Sequence, residues 1–427
     1  MAPRRAAERL DVDALVDDPT TRILVCCGSG GVGKTTAAAA MALRAAERGR
    51  RVVVLTIDPA RRLAQSLGLV ELDNTPRPVS GLDPGSGGSL DAMMLDMKRT
   101  FDDVVVAHST PDKAQQILAN PFYQALSTSF AGTQEYMAME KLGQLRAQAD
   151  REGRWDLIVV DTPPSRSALD FLDAPNRLGL FLDGRFIRLI SAPARASGRV
   201  YLKVLGAGIG MASTALTKVL GGQMLSDVQT FVAALDSMFG GFRERADLTY
   251  GLLKDRGTAF VVVATPERDA LREAAFFVER LAADDMPLAG VVVNRLQRLA
   301  VPELTRGRAL AGAELIAIPA DAEEGAGSPA DDESPAEAEA DAGSPADAGS
   351  MREAGSPAGV DEPAAALAAG LLTLHALLAE LAARQDRATT AFSAGHPGVP
   401  MVRVPALSHD VHDLESLREV GHALASS

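Results

Sequence analysis

The chain has 427 residues, 47% of them hydrophobic and 23% charged, the proportions of a folded protein larger than one small domain. Aromatic residues make up only 4%, too few for base stacking or an aromatic-lined sugar site to be the main business. The formal charge of −13 is local: residues 321–362 hold 13 acids against one base, Arg352, so this segment carries −12 and the remainder about −1, which leaves no basic field for nucleic acid.

Residues 1–20 read as an N-terminal extension with bases but no apolar core, and so not as a secretory signal. Residues 21–90 read as the first part of an α/β core. Arg22–Cys27 is a buried strand, Lys34 to about Glu47 an alanine-rich helix, and Arg51–Ile57 a second apolar strand. Cys26 and Cys27 are the two cysteines and offer no disulfide framework, as in a reducing compartment; on a strand they point to opposite faces. Residues 91–150 have helical periodicity through Met93, Met94, Met97 and Phe101, and read as a helical insertion. Its methionines, with Met137 and Met139, fit either an adaptable apolar groove or plain helical core.

Residues 151–170 return to the core with the strand Leu157–Val160 ending at Asp161; Trp155 before it reads as a packing anchor. Residues 171–255 read as a helical subdomain, and 256–320 as core with strands Thr258–Ala264 and Gly290–Asn294. The longest suspect apolar stretch, Val204–Thr217, is shorter than the roughly 20 residues a membrane span needs. Residues 321–362 repeat Gly-Ser-Pro-Ala at 327–330, 343–346 and 355–358 and carry almost no large apolar side chain, the composition of a disordered insertion. Residues 363–400 resume a helical pattern over Ala364–Arg387, and 401–427 give a last strand, Met401–Val404, and a helix. Continuous β-branched strands alternating with helices specify a doubly wound parallel sheet with an inserted helical subdomain.

Gly28-Ser29-Gly30-Gly31-Val32-Gly33-Lys34-Thr35 matches G-x-x-x-x-G-K-[ST] between a strand and a helix, the context of a phosphate-binding P-loop. The glycines let backbone amides turn inward on phosphate oxygens, and the helix N-terminus adds its positive end. This assigns ATP binding to Gly28 through Thr35 with Thr36, a phosphate cation to Lys34, and a Mg²⁺ hydroxyl to Thr35. Asp161 and Asp58 both end strands at the carboxyl edge of the sheet, where ligands bind in this architecture. Asp161 fits a Mg²⁺ carboxylate.

Together these motifs resemble the ArsA-type ATPases, the family of the arsenite-pump ATPase and of the ATPase that delivers tail-anchored membrane proteins. GSGGVGKTT resembles the family's P-loop, LTIDPARRLAQSLG (55–68) its first switch and DTPPSRSALDFLDAP (161–175) its second. The resemblance implies that Asp58 positions the attacking water and that Asn294 recognises adenine. It places Glu267 near the nucleotide across a dimer interface, and Pro405, in VPALSHDVHDLESL (404–417), against the base. It implies a cytoplasmic Mg²⁺-dependent ATPase, peripheral at the membrane at most, working as a homodimer or as a heterodimer with an ArsA-type paralogue. It also implies a hydrophobic client or membrane-protein partner, read by the helical residues 196–240. An arsenite-type anion exporter subunit and a MinD-like positioning ATPase are the alternatives.

Three departures qualify the likeness. The family's cross-subunit lysine is replaced by Ser29. A third thiol for a soft-metalloid site is missing. So is the Cys-x-x-Cys pair that binds zinc between subunits. The run His409-Asp410-Val411-His412-Asp413 reads either as a metal cluster or as an acidic helix start within the adenine loop.

Overall fold

In the computed structural model the described residues are 8–57, 62–83, 85–120, 123–124, 127, 133–163, 244–317 and 362–426. Asp58, most of the sequence that resembles the second switch, the stretch 196–240 expected to read a client, Val204–Thr217 and the acidic insertion up to residue 361 lie outside them. They fall into two units, the first containing residues up to Leu296 and from Asp386 on, the second Gln297–Gln385.

The first unit is built on an eight-stranded sheet. Its strands are β1 (Ile23–Cys27), β2 (Arg51–Thr56), β3 (Arg77–Pro78), β4 (Ser89–Met94), β5 (Leu157–Asp161), β6 (Thr258–Ala264), β7 (Leu288–Leu296) and β8 (Met401–Pro405). They lie in the order β3-β4-β2-β5-β1-β6-β7-β8. All pairs are parallel except the short edge pair β3/β4. Every residue of β1, β5 and β6 is buried, which is why these strands read as unbroken apolar runs: helices cover both faces.

The alternation of a strand divides each sequence between two cores. Val25, Cys27, Val53, Leu55, Val160 and Phe260 pack on one face with helices α4 (Met97–His108), α6 (Thr133–Glu152) and α7 (Arg268–Ala283). Leu24, Cys26, Val52, Val54, Val159 and Val261 pack on the other with α1 (Val12–Asp17), α2 (Lys34–Glu47) and α10 (Leu414–Ser426). Cys26 and Cys27 thus point to opposite faces, as adjacent strand residues must. In α2 the buried run Ala37–Ala40 brings the helix axis close to the sheet, which a run of larger side chains would prevent. Residues 8–17, read from sequence as an extension, dock on this face: Val12 and Val16 are buried, and Asp13 and Asp17 pair with Arg44 and Arg48.

One element differs from the sequence expectation. Met93 and Met94 lie in β4, not in a helix; all six residues of Ser89–Met94 pair in register with β2. Leu90 and Ala92 enter one core and Met93 the other, a period of two that chance spacing to Met97 and Phe101 disguises. Met93, Met137 and Met139 are core residues with no more than 1% exposure. Trp155 is likewise an anchor, buried with its Nε1 donating to Asp91 at 2.8 Å.

Between α4 and α6 lies α5 (Pro111–Leu118), and α3 (Arg62–Ser66) follows β2. The second unit is a pair of antiparallel helices, α8 (Arg306–Ala317) and the first two-thirds of α9 (Glu362–Gly395). His375 Nε2 donates to Leu304 O at 2.7 Å, Arg306 pairs with Glu380 at 3.2 Å, and Gly312 abuts Leu372. α9 continues past the expected Arg387 to Gly395, and Pro363–Gly395 is long and apolar enough to cross a membrane by length and composition.

Candidate nucleotide site

The loop Gly28–Gly33 leaves the buried end of β1 and delivers the chain into α2 at Lys34. Two glycines show why the loop needs this composition. A Cβ on Gly28 would lie 2.1 Å from Val263 O, and Gly33, at φ +96°, would drive one to 2.3 Å from Asn294 Nδ2. Gly33 is the N-cap and makes no side-chain cap bond, so no side chain occludes the first amides of α2.

Lys34 is buried, and its Nζ donates to Ser29 O at 2.7 Å, folding the ammonium back across the loop. Asp161, at 0% exposure, is the polar centre of the site. Its Oδ2 accepts from Thr35 Oγ1 at 2.7 Å and from Thr56 Oγ1 at 2.9 Å. The register sets this up: Asp161 is level with Cys26 of β1 and with Thr56 of β2. The backbone continues the wiring. Ile57 N donates to Asp161 O at 3.0 Å, and Thr162 donates to Cys26 O through both N–H and Oγ1. One carboxylate therefore ties the end of β5 to the P-loop helix and to the end of β2, the strand ends that lead into the two sequences resembling the family's switches.

The end of β7 braces the loop from its outer side. Asn294 Nδ2 donates to Val32 O at 3.0 Å, and Arg295 Nη1 donates to Gly31 O at 2.9 Å. Asn294 Oδ1 accepts from Arg295 N at 2.9 Å, and Arg295 takes a left-handed φ of +61°. In a trans peptide C=O and N–H point opposite ways, so holding these two carbonyls outward turns the amides of Val32 and Gly33 inward. The polar atoms of Asn294 are thus engaged within the protein, on the loop that binds phosphate.

Beside the loop a cleft of about 440 Å³ is lined by Ser29–Val32, Thr265, Glu267, Asp269, Glu273 and Arg295. Glu267 caps α7 and enters this cleft with two further acids of the same helix. Pro405 does not line it; it ends β8 level with Leu296. Thr36 is half-buried in the first turn of α2. Thr56, Arg295 and the acids Asp269 and Glu273 were missed from sequence. A hydroxyl one step before the Ile57-Asp58 strand end, and a base next to Asn294, were the available signals.

Neither remaining motif makes a second centre. His409 faces Glu419 at 3.5 Å, His412 faces Asp413 at 3.8 Å, and Asp413 caps α10 through Ser416. Among the described residues no group of three His, Cys, Asp or Glu is gathered to hold a metal. Burial pushes the Cys27 thiol up to about 12 and Cys26 well above its ordinary value, so both stay protonated.

A P-loop on the central strand of a doubly wound parallel sheet, with a carboxylate at the end of the neighbouring strand, defines a P-loop nucleotide triphosphatase. The chain belongs to the ArsA family, described as anion-transporting ATPase, which it matches over residues 21–303. It is similar to proteins named ATPase GET3. That of Pyrenophora tritici-repentis is 25% identical over 67% of this chain and 76% of its own length. That of Ajellomyces dermatitidis is 27% identical over 66% and 75%. That of Podospora anserina is 25% identical over 67% and 76%. The chain is an ATP-hydrolysing enzyme of this family.

Proposed function

We propose that the protein is a Mg²⁺-dependent ATPase that works as a nucleotide-driven dimeric switch for a hydrophobic client or membrane partner. The observation that carries this reading is the wiring of Asp161 to Thr35, to Thr56 and, through the backbone, to Ile57 and Cys26. A change at the γ-phosphate then reaches both switch sequences through one side chain.

The site's residues fit the substrate and the ion. Lys34 is the buried cation of the loop, and it exchanges Ser29 O for phosphate oxygens. Thr35 and Asp161 form an all-oxygen donor set, the kind a hard divalent cation takes, and Mg²⁺ held there neutralises phosphate charge. Asp58, the residue that follows Ile57 in the sequence, orients the attacking water, while inward amides and Lys34 stabilise charge as it develops. Turnover releases ADP and phosphate. The buried, protonated Cys26 and Cys27 offer no thiolate to a soft anion, which weighs against arsenite-type export.

Asp58→Asn tests the reading. It keeps ATP binding and loses at least about 100-fold in turnover, and the trapped variant captures a hydrophobic peptide that the ADP state releases. Parental turnover in Asp58→Asn rejects the switch assignment. Ser29 supplies no positive charge to a partner's phosphates, so the homodimer turns over slowly and an ArsA-type paralogue that keeps the lysine accelerates it. Ser29→Lys mimics that gain. Fast turnover of the chain alone, unchanged by either addition, removes the paralogue from the proposal.

A further inference from the structure

β2 is apolar except at its two ends. Arg51 at the start is exposed, but Thr56 at the finish is as buried as the valines and leucine before it. A buried hydroxyl costs stability unless it is hydrogen-bonded, and valine has nearly the same shape, so a threonine in this place calls for a reason. Its backbone is fixed from both sides. Leu95 N, at the end of β4, donates to Thr56 O at 2.9 Å, and Ile57 N donates to Asp161 O of β5 at 3.0 Å. From that rigid mount the side chain donates to Asp161 Oδ2 at 2.9 Å, the same oxygen that accepts from Thr35 Oγ1 at 2.7 Å. Register gives this place to residue 56: Thr56 is level with Asp161, whereas Leu55 is level with Val160 and enters the opposite core. The other buried hydroxyl nearby does different work. Thr162 Oγ1 donates to Cys26 O at 2.9 Å, a bond that holds β5 to β1 and leaves the carboxylate alone.

We propose that Thr56 is a positioning residue for the divalent cation, and that it sets the preference of the site for Mg²⁺ over the larger Ca²⁺. The proposal rests on the reading of Thr35 and Asp161 as donors to that cation. The Thr35 hydroxyl has one proton. With the proton on Asp161 Oδ2, its lone pairs are what it offers to an ion, so the place of Oδ2 decides where they point. A carboxylate swings about its Cβ–Cγ bond, a torsion with broad minima. A second hydroxyl, mounted on another element, narrows that swing: Oδ2 is held between the first turn of α2 and the end of β2.

Rigidity of this kind favours one ion over another. Mg²⁺ demands a near-ideal octahedron of oxygens, while Ca²⁺ accepts larger and looser arrangements. Donors fixed by two rigid elements therefore suit Mg²⁺, and a carboxylate that swings more widely gives up more of the Mg²⁺ affinity than of the Ca²⁺ affinity.

The test is isothermal titration of the full chain with a non-hydrolysable ATP analogue in Mg²⁺, in Ca²⁺ and in EDTA. The parent binds the analogue more tightly with Mg²⁺ than in EDTA. Thr56→Val reduces that gain by about 10-fold, the scale of loss when an outer-shell partner of a metal ligand is removed. It reduces the gain from Ca²⁺ by less than about 3-fold and leaves the affinity in EDTA unchanged. Thr56→Ser keeps the hydroxyl and restores the Mg²⁺ gain. Thr56→Ala, which removes the hydroxyl without filling its place, gives the valine pattern and serves where valine disturbs the fold. A merely structural threonine would move all three affinities alike, and serine would not restore them. A Mg²⁺ gain in Thr56→Val and Thr56→Ala equal to the parent's overturns the proposal. So does an equal loss for Mg²⁺ and Ca²⁺, or a loss that Thr56→Ser does not restore. A parent that gains nothing from Mg²⁺ refutes the assignment of Thr35 and Asp161, and the proposal with it, so the parent and the variants tell the two failures apart.

Discussion

The two edges of the parallel sheet use buried polar groups for opposite ends. At the carboxyl edge, Lys34, Thr35, Thr56 and Asp161 are linked by hydrogen bonds between side chains, or to a loop carbonyl, that a ligand can replace. At the amino edge, Arg50 makes five hydrogen bonds at 2.8–3.0 Å: to Val16 O, Asp18 O and Thr21 O, and to both the carbonyl and Oδ1 of Asp156. One guanidinium thus joins the turn after α1, the start of β1 and the start of β5. Groups with exchangeable partners make a site, while a planar fork saturated by backbone carbonyls makes a rivet.

Removing the key cation from each edge separates the two roles. Lys34→Ala loses the side-chain cation of the phosphate cradle, and ATP affinity falls by at least about 100-fold while the melting temperature stays near the parent's. Isothermal titration with ATP, paired with thermal melts, measures both; parental affinity refutes the site. Arg50→Ala does the reverse. It strands buried carbonyls and Asp156, costs about 3–5 kcal/mol of stability, and leaves the ATP affinity of the folded fraction unchanged. Denaturant unfolding checks the first figure, and an Arg50→Ala chain as stable as the parent would show that the amino edge is not riveted there.

A smaller effect is expected where β7 reaches the loop. Arg295 is exposed and makes one charge-assisted bond to Gly31 O, so Arg295→Ala weakens ATP binding by about 5-fold and Arg295→Lys restores most of it. An affinity unchanged by Arg295→Ala would mean that Asn294 alone holds the loop.

The same contrast explains what could be read from the sequence. The P-loop was legible because its requirements are local: glycine where no Cβ fits, then lysine and threonine on the first helical turn. The buried strands were legible because covered parallel strands are continuous in apolar residues. Thr56 and Arg295 were not, because their roles arise from register, which sets β2 level with β5 and the end of β7 level with the loop. The strand β4 was missed because Met93 and Met94 fall in step with a helix that begins only at Met97. The end of α9 was missed because Thr389 and Thr390 are weak helix formers, a preference that burial of Thr389 and Phe392 overrides.

The finest test of the amino edge is its response to acid. Asp13 lies on α1 beside Arg44 and Arg48, near the C-terminal end of α2, and the Arg44 guanidinium holds its carboxyl below the ordinary value of 3.8. A carboxyl whose folded-state pKa is depressed binds fewer protons folded than unfolded. Its stabilisation is therefore fully present above the unfolded value and is lost as pH falls through the lower, folded one. The Asp13 side chain is 30% exposed, so solvent screens the pair and its contribution is about 1 kcal/mol. Asp13→Asn should lower the denaturant midpoint modestly at pH 7, and the gap from the parent should narrow as the pH is taken below about 4. The nucleotide edge, served by other residues, keeps its ATP affinity in the variant at pH 7. A gap that widens on acidification would place the stabilising charge on a group other than Asp13.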